Sequence, residues 1–223
     1  MTLFHTLKVR LLTLLAAWLA PSAAFACKLA LVLAFDVSSS IDGAEYRFQV
    51  DGLADALLDP AIADTLVFNQ VALTVVQWSG AGEVETTIPW RRMLSINEVR
   101  RFSDRVRNME RPWRRSNTAV GDAIAHSASL FAEVPDCTRR VIDVSGDGAE
   151  NAGVSTRKAS QTAADQGIEI NGLAIDTMGL SITEFYRRFV ITKFGFVITS
   201  RGFSDYPRSI REKLFRELIK PAS

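Results

Sequence analysis

Two apolar runs, far apart in the chain, each lead into an aspartate. Residues 29–35 are followed by Asp36, and residues 141–145 lead through Gly146 to Asp147. Such a run is typical of a strand buried on both faces, as in a parallel sheet covered by helices. Ligands of open α/β sheets bind outside the carboxyl ends of the strands. We therefore expect the two aspartates to meet at one edge of a parallel sheet.

The rest of the sequence alternates strand-like and helix-like segments. Short apolar runs predict strands, and apolar positions at helical spacing predict helices. The predicted strands are 29–35, 71–78, 84–88 (an edge strand stopped by Pro89), 140–145, 168–175 and 194–198, and the predicted helices are 44–58, 96–109, 119–132, 156–166, 182–191 and 206–219. In a chain of 223 residues, 48% hydrophobic, this alternation favours one α/β domain with a doubly wound, mostly parallel sheet and helices on both faces.

The first 26 residues have the pattern of a secretory signal peptide. A weakly basic start and an apolar stretch at 11–20 precede Ala24-Phe25-Ala26, which fits a small-x-small cleavage site. The apolar stretch is shorter than the about 20 residues of a spanning helix, although an N-terminal membrane anchor is the alternative. We expect residues 1–26 to be removed and residues 27–223 to form a periplasmic or secreted domain with no transmembrane span. Cleavage changes the formal net charge from +1 to −1, which gives no reason to expect nucleic acid as a partner.

Cys27 and Cys137 are the only cysteines of the chain. They precede Asp36 and Asp147 by nine and ten residues respectively, so in parallel neighbouring strands they would lie at the same height. Export to an oxidising compartment favours a disulfide between them, with two free buried thiols as the alternative. A lipid on Cys27 is less favoured, because bulky Phe25 does not fit the usual Leu-x-small-Cys pattern.

The residues around the two aspartates suit a hard cation. Asp36, Ser38 and Ser40 alternate in a loop, so their side chains can turn toward one point. Asp147 arrives from the second strand, and Thr118 from the start of a helix that its hydroxyl could also cap. Carboxylate and hydroxyl oxygens are ligands for magnesium or calcium rather than for zinc or copper. The sequence therefore predicts a divalent-cation site, with Mg²⁺ as the first choice and Mn²⁺ or Ca²⁺ as alternatives.

This five-residue pattern resembles the metal-ion-dependent adhesion site (MIDAS) of von Willebrand factor type A (vWA) domains. The resemblance covers residues 28–219, and segments such as Trp78-Ser79-Gly80, Pro89-Trp90 and 141–148 look like a family of secreted bacterial vWA proteins of unknown function. It implies a Rossmann-like, vWA-like fold with one short antiparallel edge strand.

The resemblance also implies roles for the site residues. Ser38 and Ser40 would ligate the cation directly, the two aspartates would lie in its inner or outer shell, and Thr118 would enter or leave the inner shell with conformation. A carboxylate of a partner protein would fill the open coordination position.

Four other interpretations use the same residues. Asp36, Ser38 and Asp147 could be turn formers only. Asp36 could be the nucleophile of a haloacid-dehalogenase-like phosphatase, but Ser38 stands where a second carboxylate is needed. A serine hydrolase needs a histidine, and beyond residue 26 the chain has only His126 and no Gly-x-Ser-x-Gly motif. A dinucleotide site would need a glycine-rich turn after the first strand. No catalytic residue is therefore assigned.

The sequence thus predicts an exported, divalent-metal-dependent protein-binding module that is not an enzyme. Its expected partner is a protein with an exposed Asp or Glu; the alternatives are a metal-dependent phosphoesterase and a structural component of an envelope assembly. Trp90 and the loop 111–115 are candidates for the partner surface, since arginine and tryptophan are enriched in interfaces; a solvated loop is the alternative. Trp78 is expected to pack beneath its strand, and Asn151 could brace the site or only stabilise a turn.

Overall fold

A six-stranded sheet forms the centre of the computed structural model, which describes residues 27–114, 116–177, 179 and 181–219. The strands are β1 Leu29–Asp36, β2 Ala72–Trp78, β3 Val84–Arg92, β4 Arg139–Gly146, β5 Glu169–Ile175 and β6 Val197–Ser200. Their spatial order is β3-β2-β1-β4-β5-β6. Of these strands β3 alone pairs antiparallel with its neighbour, at one edge of the sheet. The predicted mostly parallel sheet with one antiparallel edge strand is confirmed.

Helices cover both faces of this sheet. They are α1 Gly43–Leu57, α2 Pro60–Phe68, α3 Ile96–Arg107, α4 Val120–Ser129, α5 Thr156–Asp165, α6 Ser181–Phe185 and α7 Tyr206–Ile219. A 3₁₀ turn, Leu130–Glu133, follows α4, and a π-helical turn, Tyr186–Val190, follows α6. The arrangement is the doubly wound one that the alternation of segments predicts. We call the end where the parallel strands begin the amino edge, and the end where they finish the carboxyl edge.

Alternate residues of β1 enter two different apolar cores. Leu31 and Leu33 pack into the core under α1, α2, α3 and α7. Ala30 and Val32 pack into the core under α4 and α5, on the other face. Every residue of β1 is buried. Burial on both faces explains why this strand is a continuous apolar run rather than an alternating one.

The edge strand β3 and helix α2 differ from the sequence prediction. β3 does not stop at Pro89 but continues to Arg92, because a proline is tolerated on an edge strand whose outer side has no ladder partner. Helix α2 has no counterpart among the predicted helices. Its start is nevertheless encoded: Asp59 accepts the N–H of Ala61, and Pro60 occupies the first turn.

The helix predicted at 182–191 changes its winding along its length. It is α-helical up to Phe185 and then widens into the π-helical turn. The Oγ of Ser160, on α5, lies 3.0 Å from the carbonyl oxygen of Phe189 and 2.9 Å from that of Val190. Ser160 therefore offers a donor to carbonyls at the end of this turn, and it ties the turn to α5.

A buried cluster of three charged side chains joins the sheet to α7. Lys213 Nζ lies 2.6 Å from Asp143 Oδ1 and 2.7 Å from Glu217 Oε1, and all three residues are at most 1% exposed. Asn171 Nδ2 donates to Glu217 Oε1 at 2.9 Å. One cation thus faces two carboxylates. Burial raises the pKa of Glu217 to about 7 and also raises that of Asp143, although Lys213 opposes both shifts.

A disulfide between Cys27 and Cys137 lies at the amino edge. The Cα atoms of the two cysteines are 4.4 Å apart. The bond links the segment before β1 to the segment before β4, and the backbone N–H of Thr138 donates to the carbonyl of Cys27 at 2.9 Å. The structure therefore has the disulfide that the similar spacing of the two cysteines from the aspartates predicts.

Within the described ranges, no helix has both the length and the apolar composition that crossing a membrane requires. The signal peptide predicted at 1–26 lies outside the described residues, and it stays a prediction.

Loss of the disulfide is expected to lower the free energy of unfolding by about 2–5 kcal/mol, because the bond closes a loop of 110 residues in the unfolded chain. Urea unfolding of residues 27–223 with and without dithiothreitol measures this change. The double variant Cys27→Ser/Cys137→Ser is the control, and dithiothreitol should not alter its midpoint. An equal midpoint for the oxidised and reduced wild-type domain would contradict the prediction.

The buried carboxylates are expected to make the domain less stable as the pH rises. Folded Glu217, with its pKa raised to about 7, keeps a proton that unfolded glutamate loses near its ordinary value of 4.5. Its contribution to stability is therefore complete below about pH 4.5 and is lost as the pH rises through about 7. Glu217→Gln should flatten the pH dependence of the urea midpoint over this range.

The matched control for this variant is Glu212→Gln, which changes an exposed glutamate of the same helix. It should leave the slope of the midpoint against pH as in the wild type. Parallel slopes for Glu217→Gln and the wild type would show that the cluster does not titrate in this range.

Candidate metal site

The carboxyl ends of β1 and β4 bring the two predicted aspartates together. The strands are parallel neighbours with Phe35 opposite Ser145, so Asp36 lies level with Gly146 and next to Asp147. A Cβ atom on Gly146 would lie only 2.9 Å from Asp36 Oδ2. The glycine therefore leaves room around the Asp36 carboxylate that any other side chain would fill.

Hydrogen bonds connect the five predicted residues. Ser38 Oγ lies 3.1 Å from Ser40 Oγ, and Ser40 Oγ donates to Asp147 Oδ1 at 2.7 Å. Thr118 Oγ1 donates to Ser38 Oγ at 3.4 Å. Asp36 joins through Oδ1, which accepts the backbone N–H of Ser38 at 2.7 Å. The structure thus gathers all five residues into one cluster at the carboxyl edge.

Asp36 also carries an oxygen that no other described residue satisfies. The residue is fully buried, and its Oδ2 has no hydrogen-bond partner in the described part of the chain. Burial raises the pKa of Asp36 to about 7; the N–H of Ser38 works against this rise, and the Asp147 carboxylate adds to it. Burying an anion without a counter-charge is costly. A divalent cation beside Oδ2 would remove that cost, so the residues present fit a metal.

The donor set fits a hard cation that can be reached from solvent. Ser40 is exposed and Asp147 is half-buried, whereas Ser38 and Thr118 are buried. Among the described residues, no three histidine, cysteine, aspartate or glutamate side chains come together as a metal cluster. Hydroxyl oxygens would therefore have to supply part of the coordination, as oxygen-binding cations such as Mg²⁺ and Ca²⁺ accept.

Thr118 is held in place by Asn151 and does not cap α4. The residue at the N-terminal cap of α4 is Ala119, and no side chain caps that helix, so the predicted capping role of Thr118 is wrong. The backbone N–H of Thr118 instead donates to Asn151 Oδ1 at 2.8 Å, and its carbonyl accepts the N–H of Asn151 at 3.0 Å. Asn151 thereby fixes the backbone that carries the Thr118 hydroxyl.

Arg111 holds the loop that carries the two serines. Its Nη2 donates to the carbonyl oxygens of Val37 at 3.0 Å and Ser38 at 2.7 Å. Burial lowers the pKa of Arg111, and Asp36 opposes this shift. From the sequence, the loop 111–115 is a candidate partner surface or a solvated loop, because arginine and tryptophan are enriched in interfaces. Bonds to backbone carbonyls leave no pattern in the sequence, so the role of Arg111 could not be told from that of Arg114.

The tryptophans in the described part of the chain, Trp78, Trp90 and Trp113, do not form a common surface at this site. Trp78 is fully buried, as predicted. Trp90 packs its ring 5.8 Å from that of Phe131 and donates its Nε1–H to the carbonyl of Leu130 at 3.0 Å. Trp90 therefore lies toward the amino edge. Because β3 is antiparallel to β2, it runs away from the site as it approaches Trp90. The prediction of Trp90 as a ligand-face residue is wrong. Trp113 is partly buried against the core.

A comparison with sequence families identifies the chain. Residues 26–222 match the family described as "Protein of unknown function (DUF1194)". The chain belongs to the DUF1194 family. No curated protein sequence matches this DUF1194 chain at a significant level.

The DUF1194 chain has the fold of vWA domains. It is similar to proximal thread matrix protein 1 (PTMP1) from the mussel byssus, with 19% identity and a TM-score of 0.65 over 85% of this chain and 47% of PTMP1. It is also similar to a von Willebrand factor type A protein from Catenulispora acidiphila, with 15% identity and a TM-score of 0.65 over 88% of this chain and 44% of that one. A third similar structure is the conserved hypothetical protein BatB from Bacteroides thetaiotaomicron, at 14% identity and a TM-score of 0.60 over 86% of this chain and all of BatB.

One further structure of PTMP1 has a MIDAS motif occupied by zinc; it is 17% identical, with a TM-score of 0.64 over 87% of this chain and 46% of PTMP1. The DUF1194 chain thus spans about half the length of PTMP1. At these identities the likeness establishes the fold, and the vWA-like α/β domain predicted from the sequence is confirmed.

Asn151→Ala is expected to weaken Mg²⁺ binding about 10- to 100-fold while leaving the fold intact, because it frees the backbone of Thr118 without removing any predicted ligand. Calorimetric titration with Mg²⁺ measures the affinity. Asn117→Ala is the matched control, since Asn117 is an exposed neighbour of Thr118. Equal affinities for wild type and Asn151→Ala, or equal losses in both variants, would contradict the role of Asn151.

Proposed function

We propose that this DUF1194 protein is an exported protein-binding module that depends on a divalent cation. The observation that carries the proposal is the buried, unpartnered Oδ2 of Asp36 within a cluster of Ser38, Ser40, Thr118 and Asp147. These five side chains would hold the metal. The cation would supply a positive charge at which an acidic group can bind.

The expected cation is Mg²⁺, with Mn²⁺ and Ca²⁺ as alternatives. Hydroxyl and carboxylate oxygens favour these ions over soft or nitrogen-preferring metals. Because PTMP1 has a zinc-occupied MIDAS motif, zinc belongs in the same titration.

The partner is expected to be a protein that contributes the carboxylate of an Asp or Glu. Ser40 and Asp147 leave the cluster open to solvent, while Asp36 and Ser38 close its inner side. A partner carboxylate that approaches from the open side would reach the cation, and its negative charge would complement the positive charge of the cation. The folds of PTMP1, a byssal matrix protein, and of the pilus adhesin SpaC from Lactobacillus rhamnosus GG support a binding role rather than catalysis.

An enzymatic role has little support in the described residues. His126 lies with its Nε2 3.0 Å from Thr86 Oγ1, and burial lowers its pKa. It is bonded to neither a serine nor an aspartate of the cluster. A phosphoesterase screen with Mg²⁺ distinguishes the two functions, and turnover that is lost in Asp36→Ala would favour the enzyme.

Export is proposed from the signal-peptide pattern of residues 1–26, and the Cys27–Cys137 disulfide is consistent with an oxidising compartment. The disulfide uses the sulfur atom that a lipid anchor on Cys27 would need. A periplasmic or secreted domain is therefore favoured over a lipid-anchored one.

Metal binding should depend on Ser38 and Ser40 but not on the serine between them. Ser38→Ala and Ser40→Ala are each expected to weaken Mg²⁺ binding by about tenfold or more, because each removes a hydroxyl that would ligate the metal or hydrogen-bond to a ligand. Ser39→Ala is the matched control, since Ser39 is exposed and no side-chain hydrogen bond of the cluster includes it. Calorimetric titration of residues 27–223 with Mg²⁺, Mn²⁺, Ca²⁺ and zinc measures all four proteins.

Asp36→Ala should abolish one-site binding altogether. Wild-type affinity in Asp36→Ala, or equal losses in all three serine variants, would rule out the proposed site. If metal binds as expected, capture of a partner from the exported fraction should be reversed by chelator and lost in Ser40→Ala. Capture that is insensitive to chelator would favour the structural role in an envelope assembly.

A further inference from the structure

A groove on the flank of the domain lies apart from the metal site. One wall is α5, from Arg157 to the turn at Gly167, and the other wall is the π-helical turn with the segment that follows it up to Phe194. Arg140, in β4 near the amino edge, lines one end. The groove has a volume of about 740 Å³, which is within the range of ligand-binding pockets.

The groove is basic. Its lining contains five basic side chains and two acidic ones. The basic residues are Arg139, Arg140, Arg157, Arg188 and Lys193, and the acidic ones are Asp165 and Glu169. Arg139 forms an ion pair with Glu169 at 3.1 Å. Four basic side chains and one acidic one remain, and Arg188 Nε lies 4.0 Å from Oε2 of Glu184, which does not line the groove. The groove therefore has a local excess of positive charge, whereas the protein as a whole has a net charge of only +1.

Aromatic rings hold two of these cations at the surface of the groove. The guanidinium of Arg157 lies 4.7 Å from the ring centroid of Phe189, and Lys193 Nζ lies 5.4 Å from that of Phe194. Phe194 is 64% exposed. A ring beneath a cation limits its motion and leaves its outward side available to an anion. The groove therefore alternates apolar and positively charged contacts.

The shape of the groove favours a chain over a flat surface. Between Arg157 and Asp165, α5 rises about 12 Å at 1.5 Å per residue. An extended peptide covers that length with about four residues at about 3.3 Å each. Guanidinium groups match carboxylates in geometry as well as charge. A lipid bilayer, by contrast, cannot enter a concave site between two helical walls.

We propose that this groove binds a short, extended, acidic peptide segment of a partner protein, with carboxylates at Arg157 and Lys193 and apolar side chains against Phe189. This second contact does not depend on the metal, and it does not rest on the proposed function of the MIDAS-like cluster. A partner bound at both sites would be held at the carboxyl edge and on the flank of the domain at once.

The test is fluorescence anisotropy of a labelled pentapeptide of alternating glutamate and leucine, added to residues 27–223 in the presence of chelator. The expected result is saturable binding that is at least tenfold tighter than that of the same peptide with glutamine in place of glutamate. Arg157→Glu and Lys193→Glu should each weaken binding about fivefold or more, since each removes one exposed charge pair.

Lys158→Glu is the matched control. Lys158 is the exposed neighbour of Arg157 on the same helix, but it lines a different groove, between α4 and α5. It should leave the affinity within about twofold of the wild type. An equal loss in Lys158→Glu, or equal binding of the glutamine peptide, would overturn the proposal.

Two further experiments test whether the metal site or a lipid surface accounts for the binding. Titration with Mg²⁺ in place of chelator should give the same peptide affinity, and peptide binding that requires Mg²⁺ would assign the peptide to the metal site instead. Vesicles of phosphatidylglycerol should not co-sediment the domain more than vesicles of phosphatidylcholine do. If the wild type co-sediments with phosphatidylglycerol, Lys193→Glu does not, and the peptide fails to bind, the ligand of the groove would be an anionic membrane surface and not an acidic peptide.

Discussion

The carboxylate of Asp36, fully buried at the carboxyl edge between β1 and β4, is the constraint on which the site depends. Its Oδ1 accepts the N–H of Ser38, and its Oδ2 has no hydrogen-bond partner among the residues that the structure describes. The nearest acidic neighbour, Asp147, adds negative charge, and burial raises the pKa of both groups. An ion in such surroundings has lost its hydration and gained repulsion. A cation beside the carboxylate would reduce both effects.

The remaining residues of the site keep this carboxylate and the hydroxyls in position. Gly146 leaves space beside Asp36, Arg111 fixes the serine loop through its backbone carbonyls, and Asn151 fixes Thr118. None of the three places a charged side-chain atom in the cluster itself. Arg111 and Asn151 bond to backbone groups, so they fix the segments that carry the cluster. Within the cluster, the hydroxyls and carboxylates bond to one another.

The sheet and the site cluster could be predicted because both leave a local pattern. Strands buried on both faces are continuous apolar runs, and parallel strands put their terminal aspartates at one edge. The errors come from contacts that have no such pattern. The position of Trp90 depends on the direction of β3, the winding of the π-helical turn depends on its packing against α5, and Arg111 acts through carbonyls that every residue has. Helix α2 is different, since its Asp59-Pro60 start is a recognised signal that the apolar periodicity alone does not reveal.

The disulfide at the amino edge has a mechanical consequence. It joins the entries of β1 and β4, and the same two strands carry Asp36 and Asp147 at their other ends. A ligand that pulls on one of these aspartates would pull along the strand that carries it. The parallel ladder between them would then be loaded in shear, with all its hydrogen bonds sharing the force, and the covalent bond would pass the load from one strand to the other. Reduction of that bond would leave the hydrogen bonds of the ladder as the remaining link between the two strands.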